Sequence, residues 1–320
     1  MCTLCQHYCK IKEGKTGICG VNKNVGDKIE CLVYGYPSAL NVDPIEKKPL
    51  YHFLPGSKSL SLGTVGCNFH CSFCQNWTIS QTANIDKSQY FSPEQIVELA
   101  IDHECESISY TYNEPTIFYP YARDIALEAK KRGLKNVYVS NGYESHEVID
   151  DMKDVIDAAN IDLKSFDPKY YQKALGGNLE KILNNLKHFV QECIWIEITT
   201  LIVPTQNDSE EELDKIASFI ANELGKDVPW HITAFHPDYK ELELPSTSIE
   251  TLKMAYDIGK KHGLHHVYIG NVSYDTPTRC PSCDAVLIER TYFRQTSNHL
   301  NGAKCGQCGT TIAGVFDEQS

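Results

Sequence analysis

Fourteen cysteines in 320 residues, most of them gathered into three groups, constrain this chain more than any other feature. Cys2, Cys5, Cys9 and Cys19 open the sequence, with Cys31 further on. Cys67, Cys71 and Cys74 form a second group, and Cys280, Cys283, Cys305 and Cys308 a third. Cys105 and Cys193 stand alone and read as inert core thiols. Met1–Cys5 lacks the apolar run of a secretory signal, and no segment is apolar for long enough to cross a bilayer, so a cytoplasmic protein without a membrane partner is expected. In a reducing compartment, clustered cysteines read as metal sites rather than disulfides. The net charge of −12, with no basic stripe, argues against a nucleic-acid partner.

Between the second and third groups the pattern is regular. Apolar, β-branched runs at 59–65, 107–112, 136–139, 160–163, 194–203, 231–235 and 266–269 alternate with helical patterns. Ser92-Pro-Glu-Gln95 and Ser209-Glu-Glu-Glu212 read as capping boxes, and Thr247 with Glu250 as a third. Strand–helix alternation implies a parallel sheet, and six or seven units suggest a partial (β/α) TIM-like barrel with its chemistry at the C-terminal strand ends. The expected organisation is a Cys-rich metal-binding segment over 1–50, the barrel over 51–275, and a zinc-ribbon or rubredoxin-like module over 276–320.

Cys67-x-x-x-Cys71-x-x-Cys74 directly follows the first strand of the alternation. Fe–S clusters are held by cysteine thiolates, so three of them on a four-iron cubane leave one iron free for a ligand. The rival is a zinc site with a distant fourth ligand, and His70 lies inside the loop. The cysteine spacing resembles the signature of radical S-adenosylmethionine (SAM) enzymes. Glu46-Lys-Lys-Pro-Leu-Tyr-His-Phe-Leu-Pro-Gly56, Gly66-Cys-Asn-Phe69 and Cys74-Gln-Asn-Trp77 resemble the branch related to pyruvate formate-lyase activating enzyme. More narrowly they resemble the radical SAM member of the AmmeMemoRadiSam system. The resemblance implies a [4Fe–4S] cluster that chelates SAM and cleaves it reductively to a 5′-deoxyadenosyl radical. A ferredoxin or flavodoxin would supply the electron.

The resemblance also assigns candidate SAM contacts. Glu114, in Tyr112-Asn-Glu-Pro-Thr116, matches the last position of the family's Gly-Gly-Glu motif, and Asn113 replaces its second glycine. Ser140-Asn141-Gly142 ends a strand and reads equally as a turn or a ligand contact. Asp162 and Lys164 share one strand face and match the family's Asp-x-Lys motif, with a surface ion pair as the alternative. His236 is similar to a histidine at the methionyl end of SAM in related activating enzymes, with His231 as its competitor. Asn271 resembles a late-strand adenine contact, and Phe73 reads as an adenine platform or as core.

Cys280-x-x-Cys283 and Cys305-x-x-Cys308 have zinc-ribbon spacing, with rubredoxin-like iron as the alternative. Cys2, Cys5, Cys9 and Cys19 also offer four thiolates. Zinc leads there, an auxiliary Fe–S cluster is the rival, and His7 could replace one cysteine. The expected activity is hydrogen abstraction from a protein or peptide. The substrate is either a glycyl-radical enzyme or a target shared with Memo-type and AMMECR-type partner proteins. An Fe–S electron carrier or metal-bound scaffold is the reading from another class.

Overall fold

A computed structural model describes residues 1–274 and 276–316. A hairpin of β1 (Asn22–Val25) and β2 (Lys28–Cys31) precedes β3 (Ala39–Pro44). Seven strands then alternate with helices: β4 (Lys58–Gly63), β5 (Ser107–Tyr110), β6 (Lys135–Ser140), β7 (Ala158–Asp162), β8 (Trp195–Ile202), β9 (Trp230–Ala234) and β10 (Val267–Gly270). They pair in parallel in sequence order, and β3 adds an antiparallel edge beside β4. The sheet runs β10 to β3 without the ends meeting, so the barrel is partial. The seven expected strands thus form one mixed sheet. β3, from within the first fifty residues, joins it.

Alternation along each strand separates two environments. Leu60, Leu62, Ile108, Tyr110, Tyr138, Ala159 and Ile196 face the helices in one large apolar cluster. Val137, Ala158 and, more loosely, Val139 and Trp195 belong to a second cluster, which Ile45, Leu50, Phe53 and Leu54 complete. The segment that resembles the activating-enzyme branch is therefore a plug that fills one end of the barrel. Its polar groups are met there. The Glu197 carboxylate accepts the backbone N–H of His52 at 2.8 Å and that of Tyr51 at 3.0 Å. His231 bonds the same carboxylate at 2.7 Å, so this histidine has a structural partner.

The helix starts show where local reading holds. Ser92 and Gln95 form the full reciprocal box. Ser209 caps Glu212, but the Glu212 side chain instead accepts the Phe166 N–H at 2.7 Å. The third cap is Ser248, not Thr247, which bonds Phe235 and Ile202 across two strands. Cys105 is buried as expected. Cys193 is exposed, at the left-handed turn (φ 58°) that leads into β8.

The C-terminal module has β11 (Thr278–Arg279), β12 (Val286–Thr291) and β13 (Arg294–Asn298) in one antiparallel sheet. The short strands β14 (Leu300–Asn301) and β15 (Lys304–Cys305) form a second. Cys280, Leu287, Ile288, Leu300, Cys305 and Ile312 make a small separate core. Arg290 bolts this module to the plug. Its guanidinium donates to Thr278 Oγ1 at 2.9 Å and to the Tyr51 carbonyl at 2.7 Å. It also lies over the Tyr51 ring at 4.2 Å and stands 3.6 Å from the buried Glu46 carboxylate. Beyond Thr278, Tyr268 and His52 continue a bonded series with steps of 2.8 and 2.7 Å, and His52 Nδ1 donates to the Ala313 carbonyl at 2.8 Å. A neutral imidazole whose Nε2 accepts from Tyr268 satisfies that arrangement. Burial agrees, lowering the His52 pKa to about 3. Among the described residues, no helix is long and apolar enough to cross a membrane.

Candidate active site

The C-terminal ends of all seven parallel strands open into one cavity of about 480 Å³. The residues after β4 bring Cys67, Cys71, Phe73 and Cys74, and those after β5 bring Asn113 and Glu114. β6 contributes Ser140 and then Asn141, β7 Asp162 and then Lys164, and β8, β9 and the end of β10 supply Thr199, Thr233 and Asn271. Every expected contact but one lines this space. His236 instead borders an adjoining cavity of about 390 Å³, where its Nε2 lies 3.1 Å from Gln75 Nε2. The two cavities share Gln75, Asn271 and Phe293. Tertiary placement of the loop after β9, which the sequence pattern does not encode, turns that ring aside.

The cysteine loop is tightly seated. Gly66 has φ +92°, and a Cβ there would stand 2.6 Å from the Cys19 carbonyl oxygen, so only glycine fits. Asn113 holds the loop from the other side, donating to the Gly66 carbonyl at 2.8 Å and accepting the Thr64 N–H at 3.2 Å. Its side chain thus stitches β5 to the loop, which a glycine could not do. His70 turns outward against Gly176 and does not line the cavity. Cys74 Sγ is 3.1 Å from Ser80 Oγ. Burial pushes the Cys71 thiol up to about 11, against the pull of nearby Lys164. Burial, with the Glu114 charge behind it, also raises Cys67 well above its ordinary value. Both thiols would therefore release protons on binding metal.

Glu114 is 2 % exposed and heavily solvated by protein. Oε1 accepts the Thr116 N–H at 3.0 Å, the Thr116 hydroxyl at 2.5 Å and the Ser140 hydroxyl at 2.9 Å. Among the described residues Oε2 accepts only the Asn141 N–H, at 2.8 Å, which leaves a lone pair for a cationic ligand. A second buried acid, Glu144, was not foreseen. It bonds Ser140 closely, and its other oxygen has no partner. Burial, then the Glu114 charge, pushes its pKa up to about 8. A protonated Glu144 donates to Ser140, whose own proton then goes to Glu114. Its sequence signal is weak, a lone Glu after the Ser-Asn-Gly turn.

Asp162 and Lys164 pair at 2.6 Å on the cavity wall, with the lysine side chain only 15 % exposed. Burial works against the ammonium, but Asp162 and the Cys71 sulfur hold it charged. A fixed cation thus stands beside the three thiols. Another, Lys48, sits on Asp43 at 2.7 Å and lines the same cavity.

In the C-terminal module Cys280 and Cys308 are 3.5 Å apart, Cys283 and Cys305 3.8 Å, and all four sulfurs lie within 4.8 Å of one another. That is the spacing of four thiolates on a single ion. Cys67, Cys71 and Cys74 are not grouped so closely, as suits thiolates on three different irons.

A partial barrel thus brings three thiols, a carboxylate and an ion pair to one cavity at its strand ends. Residues 61–220 match the radical SAM superfamily, and the chain belongs to it. An uncharacterized protein of Methanocaldococcus jannaschii is 42 % identical over 97 % of this chain and 94 % of its own length. A putative glycyl-radical enzyme activating enzyme of the same organism is 24 % identical over 68 % of this chain and 80 % of its own length. A radical SAM methyltransferase from Sphaerobacter thermophilus shares the fold, with TM-score 0.55, 13 % identity, and coverage of 69 % of this chain and 68 % of that one. Membership implies SAM and a [4Fe–4S] cluster, and the residues present fit both: three spread thiols and an acid with a vacant lone pair border one cavity.

Proposed function

We propose that this enzyme abstracts hydrogen from a protein or peptide substrate. Cys67, Cys71 and Cys74 would hold the cluster, and Glu114 would take the SAM ammonium on its free Oε2 lone pair. Lys164, kept charged by Asp162, would face the SAM carboxylate. Ser140, Asn141 and Asn113 would keep Glu114 and the loop in register, while Phe73 and Asn271 would border the adenosine. Bound there, the cluster supplies the one electron that cleaves SAM to methionine and a 5′-deoxyadenosyl radical.

The single observation that carries the reading is Glu114, a buried carboxylate with four protein donors and one vacant acceptor position, facing the three thiols across one cavity. The adjoining cavity at His236, which opens on Tyr274, Tyr292 and Phe293, is the approach for the substrate. A protein substrate is favoured by relatives named as activating enzymes. Partnership with Memo-type and AMMECR-type proteins rests on the sequence resemblance, and zinc in the C-terminal thiol quartet on its spacing. The test is anaerobic: reconstitute, reduce with dithionite, add SAM and quantify 5′-deoxyadenosine. Product that disappears in Glu114→Gln is expected. A fully loaded cluster that never cleaves SAM would refute the reading and favour an electron carrier.

A further inference from the structure

Cys2, Cys5, Cys9 and Cys19 line one small cavity of their own, walled by apolar Leu4 and Ile11. Four metal-ligating side chains rarely converge by chance, but their spacing differs from that of the C-terminal quartet. Among the described residues, no three of these thiols lie within 4.8 Å of one another, and the 3.5 and 3.8 Å sulfur contacts of the C-terminal module have no counterpart here. Thiolates on one zinc ion must crowd together, because each is bonded to the same centre. Thiolates on a cubane stand apart, because each holds its own iron. In this respect the N-terminal thiols resemble Cys67, Cys71 and Cys74.

Two side-chain amides point the same way. Asn22 Nδ2 donates to Cys19 Sγ at 3.4 Å. Asn68 is 1 % exposed and lines the same cavity, and among the described residues its Nδ2 has no hydrogen-bond partner. A buried donor left unmet is costly unless an acceptor arrives, and cluster sulfurs accept such bonds. His7 Nε2 is spent on the Asn68 carbonyl at 3.0 Å, and Cys31, which does not line the cavity, bonds the Ile117 carbonyl.

The cavity also abuts the cysteine loop of the active site. Asn68 is the residue after Cys67, and the Cys19 carbonyl packs on Gly66, the residue before it. Ile18, on the outer side, is 62 % exposed.

We propose that Cys2, Cys5, Cys9 and Cys19 hold a second [4Fe–4S] cluster that hands electrons singly to the catalytic one. Each electron passed on oxidises this cluster by one unit and is replaced by a low-potential one-electron donor protein. The electron is consumed in the reductive cleavage of SAM. The relay rests on the proposed catalytic cluster, whereas the site itself does not.

The test removes the catalytic ligands. The Cys67→Ala/Cys71→Ala/Cys74→Ala variant is reconstituted anaerobically with iron and sulfide, analysed for iron, sulfide and zinc, then reduced and examined by electron paramagnetic resonance. About four irons with a reduced-cluster signal are expected, against about eight in the wild type. Zinc in place of that iron, or no metal beyond one ion for the C-terminal quartet, overturns the proposal. If the triple variant does not fold, Cys5→Ser/Cys9→Ser in the otherwise intact chain decides. Iron should halve, and reduction of the remaining cluster by ferredoxin should be lost while dithionite still reduces it. Unchanged iron with one zinc fewer overturns the proposal. A wild type with about four irons that still cleaves SAM would refute this inference and leave the proposed function standing.

Discussion

Arg290→Ala isolates the joint between the C-terminal module and the barrel plug. The substitution leaves the Glu46 carboxylate, 1 % exposed and accepting the Gly56 N–H at 2.8 Å, without the cation that stands 3.6 Å from it. Removing one partner of a buried ion pair costs about 3–5 kcal/mol, a figure that already includes the stranded charge. The lost bonds to Thr278 and Tyr51 and the cation over the Tyr51 ring place this site toward the upper part of that range. At about 2 °C per kcal/mol, the low end suited to a long chain, the melting temperature should fall by roughly 8 °C. The assay is thermal unfolding of the metal-loaded protein, with limited proteolysis to show whether residues beyond 276 are released first. Glu46→Gln/Arg290→Met removes both charges and should recover most of the loss, since a neutral, well-packed pair avoids the desolvation penalty. A fall under about 2 °C for Arg290→Ala, or a double variant as unstable as the sum of the singles, would refute the reasoning.

Glu114→Gln should weaken SAM binding to the loaded enzyme by about tenfold to a hundredfold, since a charge-assisted bond is worth roughly 1.5–3 kcal/mol. Equilibrium dialysis measures it, and unchanged affinity would remove Glu114 from the site. Glu144 gives a pH dependence. Folded, it keeps its proton up to about 8, whereas the ordinary value is 4.5. Between those values the folded state binds the extra proton, so this group makes stability fall as pH rises, by up to about 1.4 kcal/mol per unit, and level off above 8. Glu144→Gln should therefore gain on the wild type from pH 5 to pH 8, and parallel melting curves would show that Glu144 is ionised. Cys283→Ser/Cys308→Ser should release one metal ion and lower stability while iron in the barrel is retained, because the quartet has its own core. Loss of iron in step with that ion would contradict it.

What could be read from the sequence was whatever depended on local pattern. Strand–helix alternation located all seven parallel strands, and the family resemblance singled out Glu114, Asp162 and Lys164, which line the cavity at their ends. Groups paired across long sequence separations were not legible. Glu46 and Arg290 lie in different terminal segments, and nothing near either one marks it as buried. β3 looked like part of a Cys-rich segment because its pairing partner, not its own six residues, makes it a sheet edge. Glu144 was passed over for the same reason. Its perturbation comes first from burial and then from a second acid brought close by folding, neither of which its neighbours in the chain reveal. His236 stands apart for another reason: it follows β9, but the loop geometry sets its ring against the adjoining cavity rather than the one that holds the thiols.

The bonded series Arg290, Thr278, Tyr268, His52 and Ala313 has a consequence for anyone who cuts or exchanges parts of this enzyme. Ending the chain before Thr278 would strip partners from Tyr268 on the last barrel strand and from His52 in the plug, both buried. A transplanted ribbon from a relative would meet the same unmatched groups unless residues 46–57 travelled with it. Parts far apart in sequence, the plug and the ribbon, must therefore be exchanged together or not at all.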